Sequence, residues 1–398
     1  MALTTKGIFV IGAKRTPFCS FGGPLRETPA GLAFAATAKD ATREAKIDPA
    51  LIDNTVVGNV HYLSQCDGGK TARYCGLYSE VPIDRPALAV NKACGSGLQA
   101  VITGALDILT GMARASLTGG TEIMSSLPYL VKNVRFGSTL GGSYILEDHI
   151  QKQFLDSYSG LTLQKMAEDL AKKYDVKRYE VDEFAMNSHL RWKAAQESKL
   201  FDNQLTSLTV TLKKKEVEVS RDELPQPNIS LEALSQLPTF NNEASVVTSG
   251  NSSGPADGAA AVIIADEDLV NQHQLQPLAR VTAWACQGSD PLEPGLGAVP
   301  AVEKLLSVAG LTVNHIDLFE INETFASQVL VSAMALNIDP AKINVSGGAV
   351  AMGNPVGATG ARMVVHLVHE LRRRSLKRGI AASSCGGGQG VALLLETM

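Results

Sequence analysis

The chain has 398 residues, room for about two or three domains, and 45% of them are hydrophobic, which excludes wholesale disorder. Its 36 lysines and arginines nearly balance 40 aspartates and glutamates, so a net charge of −4 draws it neither to nucleic acid nor to an acidic membrane surface. Six cysteines are too sparse for a disulfide scaffold and point to a reducing compartment. No apolar run reaches the roughly 18 residues of a membrane span. The opening MALTTKGIFVIGAKRTPF lacks the charged, apolar, small order of a secretory signal, and the ending Leu395-Glu396-Thr397-Met398 is not a peroxisomal tripeptide.

Short apolar strands alternate with amphipathic segments from the start. Gly7 to Ala13 reads as a strand, Leu32 to Ala45 as a helix and Thr55 to Val60 as a strand. Leu88 to Val90 leads into a glycine turn, Leu98 to Leu109 continues as a helix, and Ala115 to Thr118 runs into Gly119-Gly120. Between Thr121 and Ser245 the strand signal fades, and two helical stretches stand out, Leu163 to Tyr174 and Val181 to Ser198. Lys213 to Lys215 reads as a solvated loop or strand end. Alternation resumes near Val246 and continues to the C-terminus through Ala259–Ile264, Ala279–Ala285, Ala301–Ala309, Leu318–Glu320, Ala326–Leu336, Ile343–Ser346, Ala361–Arg374, Ile380–Ser383 and Val391–Leu395. This pattern predicts an α/β fold with mainly parallel sheet.

The 36 glycines are clustered, and the clusters recur. In the first half Ala93-Cys94-Gly95-Ser96-Gly97 precedes a helix and a strand ending in Gly119-Gly120. In the second half Ser346-Gly347-Gly348 leads through a glycine turn to Gly360, a helix, and a strand ending in Cys385-Gly386-Gly387-Gly388. Two such halves imply a duplication whose glycine turns face one pocket. Cys94 sits between strand and helix, where free N–H groups and the helix dipole favour thiolate, so it is the candidate nucleophile. Cys385 lies in what reads as the matching turn, and the two together read as a nucleophile and a proton carrier, or as a redox pair. Asn322-Glu323-Thr324-Phe325 follows a strand, at the edge where sites collect; Asn322 could equally cap a helix.

Other motifs fail. Gly69-Lys70-Thr71 resembles the end of a phosphate-binding loop, but Ser64 stands where the opening glycine belongs. Gly386-Gly387-Gly388-Gln389-Gly390 does not fit a dinucleotide fingerprint. His366, His369 and Glu370 fit no zinc order and read as a helix face, and Arg372 to Arg374 reads as a basic helix end or, less simply, a phosphate contact.

Taken together, Ala13-Lys14-Arg15-Thr16-Pro17-Phe18, Cys94-Gly95-Ser96-Gly97, Gly119-Gly120-Thr121-Glu122, Gly250-Asn251-Ser252-Ser253-Gly254, Asn322-Glu323-Thr324-Phe325 and Cys385-Gly386-Gly387-Gly388 resemble the thiolase family. Tyr129 to Gly137 and His366 to Arg374 are most similar to its mitochondrial 3-ketoacyl-CoA branch, the acetyl-CoA acyltransferases. The resemblance implies a five-layered αβαβα fold of two duplicated halves with an inserted loop domain. In residue ranges these are 1–120 completed by 246–270, a loop or lid domain at 121–245, and 271–398. It implies that Cys94 is acylated by a 3-ketoacyl-CoA, that Cys385 moves protons, and that one oxyanion hole uses the N–H groups of Cys94 and Gly387. Asn322 would hold a water in the second oxyanion hole, and Ser253 and Gln226 would contact coenzyme A, a substrate; no tightly bound cofactor and no metal are implied. A homodimer or homotetramer in the mitochondrial matrix is expected, or alternatively a cytoplasmic location.

The sequence departs from the family at one decisive place. The family's Gly-His-Pro reads Gly353-Asn354-Pro355 here. An amide has no group that titrates near neutral pH, although it can still donate a hydrogen bond. Losing a general base typically lowers a rate by about 10²–10⁴. The readings left open are a thiolase of reduced activity, an acyl-CoA-binding protein on the same fold, and a thioesterase. None of the seven histidines is placed in the pocket by sequence.

Overall fold

The computed structural model describes residues 2–3, 6–64, 69–240 and 245–398. Among the described residues, nine of the eleven strands of its large sheet form one continuous path: β1 (Ile8–Arg15), β2 (Asn54–Gly58), β3 (Ala87–Val90), β4 (Ala115–Ile123), β5 (Ala256–Asp266), β6 (Ala279–Gly288), β7 (Leu318–Ile321), β8 (Arg378–Cys385) and β9 (Gln389–Glu396). Their order across the sheet is β7-β8-β9-β6-β1-β5-β4-β2-β3. The main helices are α1 (Ala30–Ala45), α2 (Thr71–Tyr78), α3 (Ser96–Leu109), α4 (Leu163–Lys173), α5 (Arg178–Glu197), α6 (Ala298–Ala309), α7 (Ala326–Leu336) and α8 (Val356–Arg373).

The sheet corrects the expectation of mainly parallel pairing. Only β2 with β3, β2 with β4, and β7 with β8 run parallel; β4–β5, β5–β1, β1–β6, β6–β9 and β9–β8 are antiparallel. The alternation of strand and helix held at the two outer ends, where helices cross over. In the middle, β5 and β6 follow one another through one short helix and run in the same direction on either side of β1, which is antiparallel to both; periodicity alone does not reveal this pairing. The segment Ile343–Ser346 likewise forms no strand; it meets β7 through an isolated bridge from Ile343 to Phe319 and through Asn344, whose side chain bonds the Ile321 backbone.

Helices α1 and α2 cover the outer face of the first half, and α6 covers that of the second. Helices α3 and α8 pack against each other and against strands of both halves, so they form the inner layer. The layers therefore run helix, sheet, helix, sheet, helix. Their cores are continuous apolar clusters, one under α1, one around α3 and α8, and one under α6. The glycine clusters explain how the inner layer closes. A Cβ on Gly120 would lie 1.9 Å from the Gly357 carbonyl oxygen, so strand and helix meet backbone to backbone.

The stretch between β4 and β5 carries α4, α5, the short helix His149–Gln153 and two small hairpins. Lys213 and Lys214 have left-handed φ values of 48° and 64°, which makes Lys213 to Lys215 the tip of one hairpin. The positions 241–244 of this stretch, like 65–68 of the rejected phosphate loop, lie outside the described residues.

The end of β2 is tied to the rest by one carboxylate. Glu122 is fully buried and accepts hydrogen bonds from Asn59 Nδ2 at 2.9 Å, Val60 N at 3.0 Å, His61 N at 3.2 Å and Gly357 N at 3.0 Å. Burial pushes its pKa up to about 7 against the pull of those donors. Glu122→Ala leaves four buried donors unpaired, and we expect a loss of about 3 kcal/mol in chemical denaturation.

Candidate active site

Cys94 lies in the turn between β3 and α3. The turn is fixed locally: Ser96 Oγ accepts from Lys92 N at 2.9 Å and donates to Ala93 O at 2.6 Å, and Asn91 Oδ1 accepts from Ala93 N. Ala93 takes a left-handed φ of 44°, a conformation a non-glycine residue holds only when its surroundings impose it. Helix α3 begins at Ser96, with Gly95 as its cap, two residues earlier than its apolar periodicity suggests.

The thiol is not the free thiolate that its place before a helix implies. Burial raises its pKa, only partly opposed by hydrogen bonds from the Thr324 and Asn354 side chains and from its own N–H. Desolvation outweighs the dipole here because the half-buried sulfur faces enclosed cavities rather than open solvent. The Asn354 amide is oriented: Thr359 Oγ1 donates to its Oδ1 at 2.7 Å, which leaves Nδ2 to donate to the sulfur. Asn354 is itself buried and its backbone N–H bonds Gly254 O at 2.9 Å. An amide in this contact stabilises a thiolate but cannot take its proton.

Cys385 ends β8, and its thiol packs against the Cys94 turn. A Cβ on Gly95 would lie 2.6 Å from Cys385 Sγ. Burial pushes this thiol up as well, and the neighbouring Cys94 pushes it further. The two cysteines do not occupy matching turns. Cys94 precedes the inner helix α3, and the residue that precedes the corresponding helix α8 is Asn354; Cys385 instead follows strand β8. Both cysteine turns are rich in glycine, which hid the difference in sequence.

Two cavities meet at Cys94. A small one of about 40 Å³ is lined by Cys94, Cys385, Gly386, Pro294, Gln328 and residues of α4. A larger one of about 570 Å³ is lined by Cys94, Asn354, Gly387, Ser253, His61, Phe154 and others. Cys94, Leu163, Thr324, Phe325 and Gly386 border both. The structure thus brings together Cys94, Cys385, Asn354, Gly387 and Ser253. Asn322 lies behind the wall: it is fully buried, its Nδ2 reaches Thr324 Oγ1 at 3.4 Å and its Oδ1 has no partner. Gln226 is exposed, lines neither cavity and donates its backbone N–H to His189 Nδ1 at 3.0 Å.

Among the described residues no group of His, Cys, Asp and Glu side chains could hold a metal ion. His366 and His369 do lie on helix α8, as read from sequence, with His366 buried and His369 half-buried. His366 is flanked by Gln204 and His369 bonds Ala13 O at 3.1 Å. The basic helix end is engaged within the chain, since Glu370 holds Arg373 and Arg374 and Arg372 bonds Pro277 O. No described helix is long and apolar enough to cross a membrane.

Sequence reading missed His61, which lines the large cavity. A signal existed: it follows β2 at the C-terminal edge of the parallel pairs, where ligands collect in such sheets.

The local geometry also makes Gly95 sensitive. In Gly95→Ala the new methyl group must displace Cys385 Sγ and Val391 Cγ1, each 2.6 Å away. Misplacement on the 1 Å scale typically lowers a rate by about 10²-fold, and we expect a fall of that order in kcat with an unchanged circular dichroism spectrum.

Residues 8–268 match the family description "Thiolase, N-terminal domain" and residues 275–397 match "Thiolase, C-terminal domain". The chain is 43% identical to the mitochondrial 3-ketoacyl-CoA thiolase of Mus musculus, over 98% of both chains. The crystal structure of human mitochondrial 3-ketoacyl-CoA thiolase superposes with a TM-score of 0.96 at 42% identity, covering 99% of each chain. The human enzyme in complex with CoA superposes at 0.95, also at 42% identity, over 99% of this chain and 98% of that one. With both halves matched in order and the fold shared throughout, this chain belongs to the thiolase family.

Proposed function

We propose that this chain is a 3-ketoacyl-CoA thiolase, an acetyl-CoA C-acyltransferase that works through an acyl–Cys94 intermediate. The observation that carries this reading is the cavity shared by the half-buried Cys94 thiol and the buried Cys385 thiol, opening at Cys94 onto a space large enough for a pantetheine arm. Cys94 Sγ attacks the keto carbon. The C2–C3 bond of the substrate breaks, and Cys385, kept protonated by its burial, delivers a proton to the carbanion of acetyl-CoA. A second CoA thiol then gives its proton to Cys385 and takes the acyl group. The N–H groups of Cys94 and Gly387 face the developing oxyanion, and Asn322, acting through Thr324, orients the opposite wall. Ser253, held by Thr324 O through its backbone N–H at 3.0 Å, contacts the pantetheine. Gln226 stands at the exposed end that leads to the adenine.

The segment 121–245 acts as the lid, between the halves 1–120 with 246–270 and 271–398. The mitochondrial setting of the relatives supports a role in fatty-acid β-oxidation in the matrix, and the chain works as a homodimer or homotetramer. The Asn354 contact on Cys94 supports a slower enzyme than one with a base there.

The test is intact mass after incubation with acetoacetyl-CoA, followed by CoA. An acetyl adduct on Cys94 that CoA discharges is the expected result. Binding of CoA without any adduct would make the chain an acyl-CoA-binding protein, and free acid released without CoA would make it a thioesterase.

A further inference from the structure

One group on the wall of the large cavity has no part in the chemistry above. His61 is 5% exposed, and neither of its ring nitrogens has a hydrogen-bond partner among the described residues. A buried imidazole without partners gives up both a donor and an acceptor interaction, so its presence calls for a reason. Its position is built rather than incidental. Glu122 holds its backbone N–H at 3.2 Å, and the His149 ring stands edge-on at 6.3 Å between centroids.

The cavity needs such a group. The nucleophile releases a proton on acylation, and the side chains touching its sulfur, the Thr324 hydroxyl and the Asn354 amide, are not bases. Among the described residues that line this cavity, the titratable ones are His61, Asp156 and Cys94 itself. Asp156 Oδ1 accepts from the backbone N–H groups of Tyr158 and Ser159 and from the Ser159 hydroxyl, which hold its pKa below the usual carboxylate range, and its negative charge, unlike a neutral ring, would oppose a thiolate forming in the same cavity. Cys385, across the small cavity, must enter the step protonated. Glu122 spends its oxygens on four donors, and His149 is paired with Gln153 at 2.7 Å. Burial and the neighbouring His149 lower the pKa of His61 to about 4, so the resting ring is neutral at pH 7, and it can hold the proton only as opposite charge develops on the Cys94 sulfur and the keto oxygen.

We propose that His61 is the proton acceptor of the nucleophile, working across the large cavity through water in place of the base that position 354 lacks. This rests on the thiolase reading. The Cys94 Sγ–H bond breaks, its proton passes to a ring nitrogen of His61, and its electron pair forms the bond from sulfur to the keto carbon. The pair of the breaking C2–C3 bond goes to C2, which takes the Cys385 proton. In the second half the CoA proton goes to Cys385, the CoA sulfur bonds the acyl carbon, and the departing Cys94 sulfur regains its proton from His61. Every proton is returned and no oxidant is needed. A cavity of about 570 Å³ has room for the connecting water, given that a water fills about 30 Å³.

The experiment compares acetoacetyl-CoA thiolysis by the wild-type chain, His61→Asn, Asn354→His and the double variant, with CoA affinity and thermal midpoint as controls. Wild-type turnover is measured first; if it and the acyl adduct are both absent, the thiolase reading fails before His61 is tested. The expected result is a fall in kcat of about 10²-fold in His61→Asn with KM little changed, and loss of the acid limb from its pH profile. The double variant should recover to the level of Asn354→His, since a base at 354 makes His61 redundant. A kcat in His61→Asn within twofold of wild type overturns the proposal, and so does a double variant as slow as His61→Asn. Should His61→Asn fail to fold, His61→Gln is read against the same outcomes.

Discussion

Cys94→Ala is expected to abolish thiolysis of acetoacetyl-CoA, a loss on the order of 10⁴-fold or more, as for removal of other enzymic nucleophiles. The reason is positional. Cys94 is one of five residues bordering both cavities and the only one with a nucleophilic thiol. Cys385 cannot substitute, because burial holds its thiol protonated and it lines only the small cavity. The substitution removes one sulfur from a turn held by Asn91 and Ser96, so the fold and CoA binding should survive. Mass spectrometry of the variant after substrate should show no acyl adduct. An adduct that persists would place the nucleophile elsewhere and end the mechanism.

Asn354→His should act in the other direction and raise kcat at least tenfold, with the factor of about 10²–10⁴ that a general base contributes as the upper range. The site is prepared for it. Position 354 already touches Cys94 Sγ, and Thr359 Oγ1 is placed at 2.7 Å to steer the side chain. An imidazole there would take the proton directly instead of leaving it to a group across the cavity. Its own burial would keep it neutral, so the gain should hold at neutral pH. Steady-state thiolysis of the purified variant decides the matter; an unchanged rate would mean that the amide does not limit the chemistry.

Much of this was legible in the sequence. Helix α7 falls over the residues its apolar spacing marks, and β5, with eleven buried residues in succession, reads as a central strand from Ala259 to Ile264. The nucleophile turn was legible because strand, glycines and helix follow in immediate order. What escaped was set by distant parts of the chain. The antiparallel middle of the sheet depends on how β6 returns beside β1. The state of the Cys94 thiol depends on how deeply the rest of the molecule covers it. His61 was missed because a single histidine after a strand carries no pattern, and its meaning comes from the cavity that segments far along the chain close around it. Gln226 was hard to align for a different reason, since its stretch is loop and offers no periodicity.

The backbone contact of Gly120 with Gly357 has a consequence for adaptability. Two main chains that touch without side chains between them have no layer that can slide or swell. The floor of the reaction chamber is therefore stiff, and both thiols inherit that stiffness. Selection for longer or bulkier acyl groups must then act on the overlying stretch with α4 and Phe154, where retuning the roof leaves the chemistry beneath undisturbed.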